Sequence, residues 1–193
     1  MVLQMDPTLF YALPIEGGYS WTLTTRLGEM LRIAEEMYGP RDKEYTILGI
    51  EFCGDHPQIW YPGNCQNVAI QLSTSAMTDV NQACYQLAHE CVHLLCPTGT
   101  IGATNLEEGL ATYNSSYYME TQMGQPTWRG TLESYRNAEE LVRRMLERDG
   151  DVIKRMRLST FNISEITAEL ILENTDVVSA EEAEYLASKF VRH

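Results

Sequence analysis

The spacing of apolar residues is helical along most of the chain and becomes that of extended strands between residues 45 and 72. The first helical stripe predicts a helix that is capped by Ser20 or Thr22 and ends at Gly39-Pro40. The stripe consists of Leu23, Leu27, Met30, Leu31, Ala34 and Met37. Residues 1–18 contain two prolines and a Gly-Gly pair and are expected to form an irregular lead-in.

Three short runs rich in β-branched and aromatic residues follow this helix, at residues 45–52, 58–61 and 68–72. Turn-forming residues separate the runs, with Pro57 before the second run and Pro62-Gly63 after it. Connections this short join neighbouring antiparallel strands most easily. The three runs therefore predict an antiparallel meander.

The next helix is predicted from Asp79, which can cap it, to about Leu95, just before Pro97. Apolar residues cover most of its surface: Val80, Ala83, Cys84, Leu87, Ala88, Cys91, Val92, Leu94 and Leu95. A narrow polar stripe remains, formed by Gln82, Tyr85, Gln86, His89 and His93. Such a helix is expected in the middle of a domain, with its polar stripe lining a cavity.

The C-terminal half has helical periodicity and capping signals throughout. Helices are predicted from Thr104 to about 123, from 131 to 148 and on to 158, from Ser164 to 172, and from Ser179 to 191. The predicted fold class is therefore α+β, with a small antiparallel sheet packed on the 79–95 helix and a mostly helical C-terminal half. The chain has no clear linker or internal repeat, so we expect one domain, residues 1–193.

Composition limits the partners that we expect. Hydrophobic residues make up 44% and charged residues 21%, which is usual for soluble globular proteins, and no apolar run approaches the ~20 residues that span a bilayer. The net charge of −13 argues against nucleic acid as a partner, because phosphate binding needs Lys and Arg. The N-terminus lacks the features of a secretory signal. The expectation is a cytoplasmic protein without a membrane partner.

The five cysteines are Cys53, Cys65, Cys84, Cys91 and Cys96, an odd number without regular spacing. Free thiols in a reducing compartment are the expected state. Cys84 and Cys91 lie on one helix face as small apolar residues. A Cys53–Cys65 disulfide between neighbouring strands is the alternative.

The chemistry is concentrated in His89-Glu90-Cys91-Val92-His93, which has the pattern H-E-x-x-H. In a helix the two histidines lie one turn apart on one face and can bind one Zn²⁺. Glu90 then lies within reach of a water molecule at the ion, where it can act as general base. Zn²⁺ is favoured by the ligand types, although a site with two nitrogens and one oxygen also accepts other divalent ions.

A catalytic zinc site needs a third protein ligand. The chain has only four histidines, and a longer motif with His at position 99 is excluded because Gly99 is there. Glu107 and Glu108, at the start of the next predicted helix, supply carboxylates. Glu107 is three residues after Thr104, where its side chain can complete a capping box, whereas Glu108 is rotated from it by ~100°. We therefore favour Glu108 as the ligand.

Two further observations bear on the ligand set. Gly109 and Ala111 are small and are expected to let their helix approach the histidine helix closely. Cys96, three residues after His93, is an alternative thiolate ligand.

The motif followed by Asn105-Leu106-Glu107-Glu108-Gly109-Leu110-Ala111 resembles the gluzincin metallopeptidases, most closely their aminopeptidase-like pattern. The resemblance covers about residues 67–119 and implies a zincin-like fold with Glu108 as the third zinc ligand. It also implies that the strand before the motif forms the cleft edge and pairs with substrate. The chain departs from the family in its short loop between motif and ligand, in lacking G-A-M-E-N, and in having Thr112 where thermolysin-like members have an acidic residue.

The function that we expect is a zinc metallopeptidase that hydrolyses a peptide or protein substrate, with Glu90 moving the proton from water to the leaving amine. The candidate oxyanion donors are Tyr113, Tyr117 and Tyr135, with Arg136 behind them; Tyr135 is the working assignment. The alternatives are a zinc hydrolase of a non-peptide amide and a non-catalytic zinc-stabilised binding protein. A structural site has no use for a general base, so the intact Glu90 argues against the last.

Overall fold

The computed structural model describes residues 6–63, 66–99 and 102–193, and this part of the chain has an α+β fold, as predicted. Its helices are α1 (Leu23–Tyr38), α2 (Val80–His93), α3 (Asn105–Thr121), α4 (Glu133–Arg148), α5 (Val152–Ser159), α6 (Ala168–Asn174) and α7 (Ala180–Ala187). Its strands are β1 (Pro14–Ile15), β2 (Gly18–Tyr19), β3 (Thr46–Phe52), β4 (Gln58–Trp60) and β5 (Asn67–Leu72). The short β1–β2 hairpin lies within the stretch that was expected to be irregular.

The main sheet is mixed, and the predicted antiparallel meander is wrong. Its strand order is β3-β5-β4, with β5 parallel to β3 and antiparallel to β4. Ile70 of β5 is aligned with Ile50 on one side and Ile59 on the other. β5 occupies the centre because its residues are apolar on both faces, with Val68, Ala69, Ile70 and Leu72 all buried. The short connections between the strands do not by themselves indicate which strand occupies the centre of the sheet.

Local capping explains most helix starts. Thr22, one of the two predicted caps, forms a capping box with Thr25 at the start of α1, and Asp79 accepts from Asn81 N and Gln82 N at the start of α2. The prediction for Ser164 is wrong. Thr167 caps α6 instead, by accepting from Leu170 N, and Ser164 lies in a 3₁₀ turn before it.

Helix α2 lies between two apolar clusters, which confirms its predicted central position. Leu87 and Cys91 pack with α1 and the main sheet, whereas Val92, on another face, packs with the C-terminal helices. No residue of α2 is exposed. The polar stripe of such a helix can reach solvent only through a cavity.

Gly109 permits a close helix approach, but not the one that we predicted. A Cβ at this position would lie 2.6 Å from the backbone oxygen of Ala138, so Gly109 lets α3 approach α4 rather than α2. Among the described helices, none is long and apolar enough to cross a membrane.

Candidate metal centre

Helices α2 and α3 pack side by side and bring the polar stripe of α2 against the first turn of α3. His89 and His93 are one turn apart, with ring centroids separated by 5.1 Å. Asp79 fixes the start of α2 and Thr104 the start of α3, so the facing residues occupy well-defined positions. The two histidines therefore face the glutamates that open α3.

His89, His93 and Glu108 form a group that could hold a metal ion, with one donor atom from each lying within 4.8 Å of the others. Glu108 Oε2 is 3.1 Å from His89 Nε2, and Glu108 Oε1 is 3.8 Å from His93 Nε2. Ligands ~2.0–2.2 Å from a tetrahedral ion are about 3.3–3.6 Å from one another. The observed separations bracket that range, so the donor set is suited to such an ion.

Glu107 has a role that we did not predict. Its Oε1 is 2.7 Å from His93 Nδ1, and its Oε2 accepts a hydrogen bond from the Ser164 hydroxyl. Thr104 accepts from Glu107 N as expected, but Thr104 N donates to Ser164 Oγ at 3.3 Å, so the capping box is only half formed. Glu107 instead fixes the ring of His93 and leaves Nε2 directed at Glu108, an arrangement common for metal-binding histidines.

The charges of the site depend on one another. Burial lowers the pKa of His93, but Glu108, Glu107 and Glu90 outweigh burial and raise it to about 10. Burial raises the pKa of Glu108, but His93 and His89 outweigh it and lower that pKa to about 2. Without a bound ion, the raised pKa keeps His93 protonated, and its positive charge balances the carboxylates of Glu107 and Glu108.

Glu90 lies beside the three donors, is 3% exposed and faces the cavity above them. Burial raises its pKa, against the opposing effect of His93 and His89. Within the described ranges, no residue donates a hydrogen bond to its carboxylate. A buried acid without a donor partner costs stability, and such groups are found mainly where chemistry requires them.

The cavity over the donors has a volume of about 270 Å³. The turn at His56-Pro57, strand β4 and Tyr61 form one wall, and Tyr135 and Arg192 lie on the other. The edge strand at the cavity is β4, not the strand before the motif as the resemblance implied, because both sides of β5 are already paired. The edge strand that lines the cavity is therefore β4, through Gln58 and Ile59.

Of the three candidate tyrosines, Tyr135 is the one that lines the cavity, where its ring centroid is 5.8 Å from that of His89. Burial and Glu108 raise the pKa of Tyr135, and Arg192 opposes them. Tyr113 stacks on Tyr117, and neither lines the cavity. The sequence-based assignment of Tyr135 is thus consistent with its position.

The cation next to Tyr135 is Arg192, not the predicted Arg136. Its guanidinium carbon lies 5.6 Å from the centroid of the Tyr135 ring. The C-terminal segment is anchored by the Phe190 N–H, which donates to Ala103 O, and by Ser134 Oγ, which donates to His193 O. The sequence around Arg192 gives no signal that it is a site residue. It reaches the cavity only because the C-terminal segment packs against α4.

Cys96 is not part of the donor group. Its thiol is 3.7 Å from Asn162 Oδ1 and accepts from Ile163 N, and burial raises its pKa to about 11. The structure therefore does not bring Cys96 into the donor group, and burial favours its neutral thiol over the thiolate that a metal would need. Cys53, Cys84 and Cys91 are also free; Cys65, and with it the alternative disulfide, lies outside the described residues.

Comparisons of the chain with protein-family models, with curated proteins and with solved structures found no match. The function must therefore be inferred from the geometry of the site itself.

Proposed function

We propose that the chain is a metal-dependent peptidase with a zincin-like catalytic core, in which His89, His93 and Glu108 bind Zn²⁺ and Glu90 is the general base. One observation carries the proposal. Glu90 is buried beside the three donors, faces the same cavity and has no donor partner in the described chain. A site built only to hold an ion has no need of such a group.

A bound ion would supply Lewis-acid chemistry, polarising the substrate carbonyl and lowering the pKa of a water molecule. The side chains of the site supply proton transfer, stabilisation of the developing charge and positioning of the ligand His93. Glu90 lines the cavity beside the donors, where it can accept a proton from an attacking water and later donate it to the leaving amine. Tyr135 and Arg192 lie on the wall beside the donors, where they can donate to the oxygen on which charge develops. Glu107 holds His93 in position throughout.

A peptide substrate is favoured over other amides because strand β4 borders the cavity with an unpaired edge. An extended chain can bind such an edge through backbone hydrogen bonds, independent of its side chains. These features support a peptide or protein substrate.

The test combines metal content with turnover. The purified chain is expected to contain one zinc ion per molecule, measured by atomic spectroscopy, and to cleave members of a diverse peptide library. The variant Glu90→Gln should keep the ion and lose the cleavage. The variant Glu139→Gln is the matched control, since Glu139 is also buried but is paired with Arg143 on α4.

Two outcomes would contradict the proposal. A chain that binds no stoichiometric metal at any divalent-ion concentration tested has no metal-dependent activity. Bound zinc with no cleavage by the wild type, or with equal cleavage by the wild type and Glu90→Gln, would favour the non-catalytic binding protein.

A further inference from the structure

A second cavity, with a volume of about 400 Å³, opens next to the metal centre. The two cavities share the His56-Pro57 turn, His89, Tyr135 and Arg192 as lining residues. They are therefore two parts of one cleft, divided only by the residues around His89. Its volume is in the range of cavities that hold small organic groups.

The walls of this second cavity are largely aromatic and apolar. Tyr85 and Trp128 lie with ring centroids 6.0 Å apart, and Leu132 and Tyr135 complete the apolar surface. Two of the polar side chains around it are already engaged elsewhere. Gln86 is bonded to Ser73, and the Thr112 hydroxyl donates to the backbone of its own helix. Asp55, Arg129 and Arg192 are the charged residues of the lining, but most of the lining surface is apolar, so the cavity is suited to an apolar group.

Gly130 keeps this cavity open. A Cβ at this position would lie 3.3 Å from Thr112 Cγ2, 3.4 Å from Tyr135 Cβ and 3.5 Å from the Tyr85 hydroxyl. All three neighbours line the cavity, so any side chain at position 130 would project into it. The lack of a side chain at Gly130 therefore contributes to the volume of the cavity.

The edge strand leads from the first cavity to the second. Gln58, Ile59 and Tyr61 border the first cavity, whereas the preceding turn at His56-Pro57 borders both. An extended chain bound along β4 passes the metal donors and then reaches the turn, advancing ~3.3 Å per residue. A residue next to the cleaved bond is then close enough to place its side chain in the second cavity.

We infer that the second cavity is a specificity pocket that binds a bulky apolar side chain, preferably aromatic, of a residue adjacent to the cleaved bond. This inference rests on the proposed peptidase function. The pair of rings from Tyr85 and Trp128 favours an aromatic occupant, because offset or edge-on ring contacts add to the gain from apolar burial. Preference for phenylalanine over alanine at this position should be roughly tenfold to a hundredfold in kcat/KM.

The experiment measures that preference with matched peptides carrying Phe or Ala at each position around the cleaved bond. Wild type is expected to prefer Phe at one adjacent position. The variant Gly130→Leu fills the cavity and should abolish the preference, so that the ratio of kcat/KM for the Phe and Ala peptides falls to about one. The control is Gly150→Leu, because the space around Gly150 is open and far from the cleft. Circular dichroism and metal content show whether each variant is folded and loaded.

A second measurement does not depend on catalysis. N-acetyl-phenylalanine amide and N-acetyl-alanine amide are titrated into the metal-free chain at millimolar concentration, and the chemical shifts of the Leu132 amide and the Trp128 indole are followed. Shifts with the Phe compound, absent with the Ala compound and lost in Gly130→Leu, support the pocket even if no peptide is cleaved, in which case only the peptidase proposal fails. No shifts, or cleavage without a Phe preference that Gly130→Leu removes, overturns the pocket and leaves the peptidase proposal intact.

Discussion

The chain buries charge in two places that differ in how the charge is satisfied. Arg157 on α5 is 6% exposed and donates to the carbonyls of Tyr38, Gly39 and Pro40, at 2.8, 3.0 and 2.9 Å, and to Phe161 O. The first three carbonyls belong to the last residue of α1 and the two residues after it, where helical acceptors lack partners and carry partial negative charge. Four of the five guanidinium N–H groups donate, and Arg157 lines neither cavity of the cleft.

The acids at the start of α3 and on α2 show the opposite pattern. Glu107 and Glu108 are paired with the histidines, but Glu90 faces a cavity without a donor among the described residues. A buried charge that is fully bonded stabilises a helix junction, whereas one left unbonded beside a cavity is available to a ligand or to a reaction. Burial alone therefore does not distinguish a structural charged group from one that is available for chemistry. The hydrogen bonds made by the group do.

The largest effect that tests this contrast is on turnover. Replacing Glu90 by Gln removes the proton acceptor but keeps the shape, so kcat/KM should fall by about 10²–10⁴-fold. The same change removes a buried, unbonded carboxyl, so the free energy of unfolding should stay equal to that of wild type or rise. Peptide cleavage and chemical denaturation measure the two quantities. A large loss of stability would show that Glu90 has a structural partner.

The next effect is on metal affinity, and it separates two adjacent residues. Glu108→Ala removes a donor atom and should lower zinc affinity by more than about 100-fold, whereas Glu107→Ala removes only the partner of His93 Nδ1 and should cost roughly 10–100-fold. Competition with a chromogenic chelator measures both affinities. If Glu107→Ala had the greater effect, the ligand assignment would have to be reversed.

Arg157→Met should have its effect on stability alone. Loss of the guanidinium removes the donor from the carbonyls of Tyr38, Gly39 and Pro40, so we expect a cost of about 3 kcal/mol, or roughly 6–12 °C in Tm. Zinc affinity should not change. Arg155→Met on the same helix is the matched control, because Arg155 is only partly buried, is paired with Asp149 and donates to one carbonyl, that of Asn174, so its loss should cost about 1 kcal/mol. Equal effects of the two variants in thermal melts would contradict the role assigned to Arg157.

Sequence reasoning succeeded where the cause is local. The H-E-x-x-H spacing places both histidines on one face of α2 whatever surrounds the helix, and Thr22, Asp79 and Ser179 cap helices through residues two or three positions away. The capping box at Ser179 with Glu182 forms as predicted.

It failed where contacts join distant parts of the chain. The order of the strands depends on which of them is apolar on both faces, and the roles of Glu107 and Ser164 depend on a contact between α3 and a later turn. The arrival of Arg192 at the cleft and the bonding of Arg157 to the end of α1 have no local signal either.

The smallest expected effect concerns Cys96, which lies between the two regions. Burial raises the pKa of its thiol to about 11, Glu107 raises it further and Arg157 opposes this. Because the raised pKa favours the protonated form, only about one thiol in a thousand is ionised at pH 8. Iodoacetamide at that pH should therefore modify the exposed Cys53 and leave Cys96 unmodified, as peptide mass mapping would show.

Cys96→Ala provides the matching test at the metal centre. Since the thiol is bonded to the Asn162–Ile163 turn and not to the donor group, zinc affinity should stay within about twofold of wild type, well below the ~10-fold expected for loss of a ligand's partner. A tenfold loss of affinity, or protection of Cys96 from iodoacetamide that appears only when zinc is added, would make the thiol a ligand. Cys96 would then belong to the metal centre and not to the structural region around Arg157.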